Sequence, residues 1–162
     1  MTERLAKIAL AAVVIAVPAE GLRQKAYYDP PGILTVCYGS TTNVDPRKTY
    51  SLAECRARLD ADMAAAVTTV DKCAPGAPDE VIAAFADAVY NLGPRIACDP
   101  ERSGAARRLK ARDWLGACNE LPKWSKARIG PQMVTLPGLA KRREAERQLC
   151  LKGTVPHLGV IG

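Results

Sequence analysis

With 162 residues, of which 48% are hydrophobic, 25% charged and 5% aromatic, the chain is too apolar for disorder and long enough for one packed domain. Abundant Ala, Arg, Leu and Glu favour helices packed through small and aliphatic side chains. A formal charge of +6 suits nucleic acid, an anionic membrane or an acidic wall polymer, and does not choose among them.

Arg4 and Lys7 precede an uncharged, largely aliphatic run from Ile8 to Ala19. The run is shorter than the roughly 20 residues that span a bilayer, and fits either a signal-like or weakly anchoring segment or a first helix of the domain. Pro18 is expected to end or kink it. Glu20 follows directly, so cleavage there would remove nearly everything before this carboxylate. Residues 1–19 are therefore set apart as an apolar N-terminal segment, with the domain proper over 20–162.

Ala26-Tyr27-Tyr28, then Asp29-Pro30-Pro31-Gly32, then Ile33 to Tyr38 is a hairpin signal: Pro fixes φ, Gly admits positive φ, and the flanks are rich in β-branched and aromatic residues. Asp29 falls at the mouth of the turn, and Thr35 returns toward it on the second strand. Ser51-Leu52-Ala53-Glu54 fits a capping box that opens a long helix, with a stripe of Leu52, Cys55, Leu59, Met63, Ala66 and Val70. Such a helix can join two lobes. Cys73 to Pro78 breaks the pattern. An Ala-rich stretch from Asp79 to Gly93 reads as the central buried helix, and further helices are expected over Ser103–Lys110, Asp113–Leu121 and Pro137–Leu151. The charges of Arg142, Arg143, Glu144, Glu146 and Arg147 read as a solvated helix face with local ion pairs; the rival reading is attraction to anionic wall or membrane material. Trp114 and Trp124 read as core anchors rather than sugar platforms.

Cys37, Cys55, Cys73, Cys98, Cys118 and Cys150 form an even set without a CxxC pair, and His157 is the one histidine. Zinc is not expected, nor any other metal or cofactor. Three disulfides formed outside a reducing cytosol are the better reading, with buried free thiols the alternative. Fifteen pairings are possible, and sequence alone does not select one. His157 and the tail after Gly153 are uninformative.

Taken singly, Glu20 is an ordinary helix-end charge, Asp29 a turn residue bonded to its own backbone, and Thr35 a strand residue. Together with their flanks they say more. Glu20-Gly21-Leu22-Arg23, Tyr28-Asp29, Leu34-Thr35-Val36 and Gly39, followed by Ala86-Val89-Tyr90-Asn91-Leu92-Gly93, Ala117 to Leu121 and Pro137-Gly138-Leu139 before Arg142-Arg143-Glu144, resemble the phage lysozyme family, glycoside hydrolase family 24. The resemblance covers most of the chain from Glu20 to about Lys152.

It implies a mostly helical α+β fold of lysozyme type, with a small β-hairpin lobe and a larger helical lobe joined by a long helix. It also implies an endolysin that hydrolyses the β-1,4 bond between N-acetylmuramic acid and N-acetylglucosamine in peptidoglycan during phage-driven cytolysis. Glycoside cleavage needs an acid for the leaving oxygen and a base or nucleophile opposite. A Glu closing an apolar helix suits the acid, and an Asp at a wet turn suits an ionised partner. By resemblance Asp29 activates a water that Thr35 orients, with inversion at the anomeric carbon. Proximity in the implied layout favours Cys37 with Cys55, Cys73 with Cys98 and Cys118 with Cys150. An exported enzyme follows, acting as a monomer in the host periplasm, with transient inner-membrane association through residues 1–19 and no nucleic-acid partner. One departure is Ser40, where related enzymes often carry His, so a pairing that supports the site is expected to be missing.

The enzymatic rival is a lytic transglycosylase, which needs the Glu but no water-activating Asp. The non-enzymatic rival is a basic wall-binding or nucleic-acid-binding protein using its Arg-rich helix.

Overall fold

A computed structural model describes residues 1–156, so His157 lies outside the described residues. Helix α1 (Glu3–Glu20) is capped by the Thr2 hydroxyl, and buries Ile8, Ala9, Ala12, Val13 and Ala16 while Leu10 and Val14 stay exposed. It passes through Pro18 and ends at Glu20, where Gly21 takes a φ of 69°. Pro18 thus falls within the last turn rather than ending the helix before it. Strands β1 (Arg23–Tyr28) and β2 (Leu34–Cys37) form the antiparallel hairpin, with Tyr27 opposite Thr35.

Ser51 and Glu54 make both hydrogen bonds of the capping box at the start of α2 (Leu52–Cys73), at 3.1 and 2.8 Å. Its buried stripe is Cys55, Leu59, Met63, Ala66, Val67 and Val70. Leu52 is exposed instead, because the first turn lies beyond the packed part of the helix. Helix α3 (Asp79–Leu92) is buried from Val81 to Val89 and is packed by α1, α2 and the last helix, α7 (Pro137–Lys152). Its small residues let three helices approach one axis.

Between α3 and α7 come short helices α4 (Arg95–Cys98), α5 (Gly104–Lys110) and α6 (Trp114–Glu120), a 3-10 turn (Leu121–Trp124), and a second hairpin, β3 (Lys126–Ile129) with β4 (Gln132–Thr135). Ser103 and Asp113 cap α5 and α6 through their side chains. The hairpin was not foreseen from sequence, and neither was α4. Trp114 and Trp124 pack partly buried against the core, as anchors.

Disulfides join Cys37 to Cys55, Cys73 to Cys98 and Cys118 to Cys150. The first ties β2 to α2, the second holds α2 to α4, and the third clamps α6 to α7. The Cys118–Cys150 bond closes a loop of 32 residues. Removing both sulfurs as Cys118→Ala/Cys150→Ala is expected to lower stability by about 3–4 kcal/mol, as read by denaturant unfolding of the oxidised proteins.

Candidate active site

The last residue of α1, Glu20, projects where α1, α3 and α7 converge. Its side chain is 21% exposed, and Oε1 accepts a hydrogen bond from Nη1 of Arg142 at 2.5 Å. Arg142 is in turn gripped by Asp87 of α3, whose two oxygens accept from Nε and Nη2, each at 2.8 Å. Asp87 is wholly buried and Arg142 almost so. Burial by itself would lower the Arg142 guanidinium, but the carboxylates of Asp87 and Glu20 outweigh it and raise it, so it is a permanent cation here.

This overturns the solvated-face reading of α7. Arg142, Arg143 and Glu146 are buried; the outer charges are Glu144 and Arg147, the latter bonded to Asn119 and Glu144. Arginines go inside only when paired, and the partner of Arg142 lies 55 residues away on another helix, where no local pattern shows it. Arg143 donates to Oε1 of Glu146, which lies 3.8 Å from Nε of Arg142. Burial and hydrogen bonding to Asp87 outweigh Arg143 and push the Glu146 carboxyl well above its ordinary value. Its Oε2 has no hydrogen-bond partner among the described residues.

Gly39, just after β2, adopts a φ of 86° and presses its backbone on Glu20: a Cβ there would stand 3.1 Å from Oε2. Tyr90 of α3 donates its hydroxyl to the Tyr38 carbonyl, which pins the hairpin lobe to the helical lobe beside Glu20. Burial, with help from the Glu20 carboxylate, pushes the Tyr90 phenol up, so it stays a donor. Sequence reasoning did not single out Asp87, Tyr90 or Gly39 as parts of a site; a polar Asp inside the apolar Ala-rich helix was the available signal.

Asp29 and Thr35 meet each other through Ile33 and are not hydrogen-bonded to Glu20. Asp29 Oδ1 accepts from the Ile33 amide at 2.7 Å, so one oxygen closes the turn and the other is left for solvent or substrate. The buried Thr35 hydroxyl donates to the Ile33 carbonyl at 2.9 Å and keeps its acceptor lone pairs. At Ser40 the structure shows a contact from α2. Arg58 of α2 donates to the Ser40 hydroxyl, to the Thr42 and Asn43 carbonyls and to the Tyr50 hydroxyl, fastening the loop after β2.

Glu20 and Arg142 open into a groove of about 720 Å³ between α1 and α7, with Val14, Ile15, Leu136 and Leu139 as apolar walls. Asn91 also lines it, and its Oδ1 has no donor among the described residues. A groove with one carboxylic acid, apolar walls, the Lys141 and Arg142 cations and a free amide acceptor can hold an amide-bearing ligand beside a proton-transferring group.

The phage lysozyme family model matches residues 18–146. Among curated relatives, a SAR-endolysin of Bacteriophage PS34 is 39% identical over 153 residues, covering 90% of this chain and 87% of the relative. Another, of Enterobacteria phage P21, is 35% identical over 153 residues, covering 90% and 88%. Among solved structures, the active form of P1 phage endolysin Lyz superposes with a TM-score of 0.76 at 26% identity, covering 91% of this chain and 86% of that one.

A group whose carboxyl is raised on folding stabilises the fold fully below its unfolded value, and that contribution is lost as pH rises through the folded value. Glu146→Gln keeps the shape without titrating. As pH rises above the ordinary carboxylate range, the wild-type melting temperature is therefore expected to fall relative to that of Glu146→Gln, as read by parallel thermal scans. Parallel curves would contradict a protonated Glu146. Gly39→Ala, which adds both a contact on Glu20 and a left-handed Ala, is expected to reduce lytic rate about tenfold in a folded protein.

Proposed function

The chain belongs to the phage lysozyme family and is a glycoside hydrolase of the endolysin kind, and from that premise we propose that Glu20 is its general acid and that Asp29 and Thr35 manage the attacking water. The family acts on peptidoglycan. The bond cleaved is the β-1,4 linkage between N-acetylmuramic acid and N-acetylglucosamine, with inversion. The observation that carries the assignment of Glu20 is its place as the sole carboxylate among the lining residues of the groove.

The support for each role is chemical. Glu20 leans on Arg142 through Oε1 while Oε2 packs near Gly39, so the carboxyl is held in one rotamer at a partly dry helix end. Asp29 spends one oxygen on its turn and offers the other at a wetter position. Thr35 donates inward, which leaves it an acceptor for the second hydrogen of a water held by Asp29. Inversion needs the two carboxyls about 6.5–9.5 Å apart, with that water between substrate and base.

The site of action is the periplasm. Three disulfides support an oxidising compartment. Among the described residues no helix is long and apolar enough to cross a membrane. Transient association of residues 1–19 with the inner membrane is supported by the apolar face that α1 keeps exposed at Leu10 and Val14. Residues 20–162 form the catalytic domain, acting as a monomer. Fractionation of expressing cells tests the localisation: a purely cytosolic enzyme would contradict it.

Glu20→Gln is expected to slow clearance of purified peptidoglycan about 10³-fold, and Asp29→Asn about 10²-fold, with circular dichroism unchanged. Product mass spectrometry should show one water added per cleavage, and proton NMR the inverted anomer. Anhydro products would indicate a lytic transglycosylase, and undiminished clearance by Glu20→Gln would remove the assignment of the acid.

A further inference from the structure

Between Glu80 and Tyr90 the central helix α3 has a single ionisable residue, Asp87, and it is wholly buried. Every other residue from Val81 to Val89 is apolar and buried. Replacing a buried ion pair by apolar residues of similar volume is often neutral or stabilising, so stability alone does not account for an aspartate here. Asp87 takes up the charge of Arg142. Its two oxygens accept from Nε and Nη2 at 2.8 Å each, which leaves Nη1 for Glu20 at 2.5 Å.

Arg142 opposes what a proton donor has to do. A guanidinium within hydrogen-bond distance favours the ionised form of a carboxyl, whereas a general acid must carry its proton when substrate is bound. Where water is largely shut out, solvent and salt screen that attraction little. A carboxylate gripping the other edge of the same guanidinium offsets it, because Glu20 then meets an ion pair rather than a bare cation. The remaining charged and titratable groups nearby do not supply this offset. Glu146 comes within 3.8 Å of Nε of Arg142, but burial first and hydrogen bonding to Asp87 next favour its neutral form, and its Oε1 accepts from Arg143. Lys141 lines the groove as a further cation. Tyr90 of α3 is held as a neutral donor, with the charge of Asp62 on α2 reaching it. The hairpin lobe meets Glu20 through the Gly39 backbone, and α1 carries no charge between Lys7 and Glu20.

We propose that Asp87 is the counter-ion that cancels Arg142 beside Glu20 and so lets Glu20 hold the proton it delivers. Asp87 does not line the groove; it acts through Arg142, as a positioning residue. The inference rests on the reading of Glu20 as the general acid.

The test is the pH dependence of peptidoglycan clearance at fixed salt, on variants checked for folding by circular dichroism. The pH above which clearance falls is expected to move down by about one unit in Asp87→Asn, and up in Arg142→Gln. In Asp87→Asn/Arg142→Gln it is expected to return to that of the wild type. A purely structural Asp87 would instead lower the rate at every pH without moving the limit, and the double variant, which restores neither contact, would recover nothing. Because the double variant leaves neither member of the pair unmatched, it is expected to fold. If Asp87→Asn alone does not fold, Arg142→Gln against the double variant decides, and coincident limits in those two overturn the proposal. Coincident limits in folded Asp87→Asn and wild type overturn it equally. Failure of the underlying reading shows separately, as undiminished clearance by Glu20→Gln; an inactive Glu20→Gln with unshifted limits leaves the acid in place and makes Asp87 structural only.

Discussion

The Arg142 guanidinium must satisfy Asp87 from α3 and Glu20 from α1 while almost shut away from water. Both contacts are charge-assisted, and the one to Asp87 is bidentate. Removing the wholly buried Asp87 carboxylate would leave the buried cation without its bidentate partner, a cost of several kcal/mol. The three helices are thus held at a fixed separation by electrostatics, and the end of α1 has one place to be. Apolar packing around α3 supplies most of the stability; this contact selects the arrangement in which a carboxyl reaches the groove.

The neighbours of this contact follow from it. Glu146 is drawn into the same dry region by Arg143, and beside Asp87 its carboxyl is favoured in the neutral form. Gly39 suits the place where the loop after β2 meets Glu20, because the positive φ disfavours a side chain and a Cβ would press on Oε2. Tyr90, held as a donor by burial, fastens that loop to α3. Glu20 is therefore oriented from three sides: by a cation, by a glycine backbone, and by the chain direction at the end of α1.

The hairpin lobe is built on a different principle. Asp29 organises its own turn, and Thr35 shares the Ile33 peptide with it, so the pair proposed to manage water is preorganised by local backbone hydrogen bonds. Long-range bracing enters through Arg58, Tyr90 and the Cys37–Cys55 disulfide, which attach the lobe to α2 and α3. Glu20 and the Asp29–Thr35 pair thus stand on separate elements, the end of α1 and the β1–β2 hairpin.

The sequence by itself determined whatever short-range chemistry controls. The capping box at Ser51 and Glu54, the caps at Ser103 and Asp113, the Pro-Pro-Gly turn after Asp29 and the Ala-rich central helix all act within a few residues, and these elements stand where their signals put them. Glu20, Asp29 and Thr35 were picked out by their spacing and flanks together, as members of a family pattern. Only the tertiary structure decided the environment of Glu20. Arg142, Arg143 and Glu146 sit on a helix whose pattern reads as solvated, and they are buried because Asp87 and Glu20, distant in the chain, lie against them. The β3–β4 ribbon was equally hidden: Lys126 to Thr135 lacks a buried face, and local periodicity cannot mark a strand pair that packs on nothing. Burial of charge and exposure of apolar surface both depend on what another part of the chain brings near, and neither is encoded within a local window.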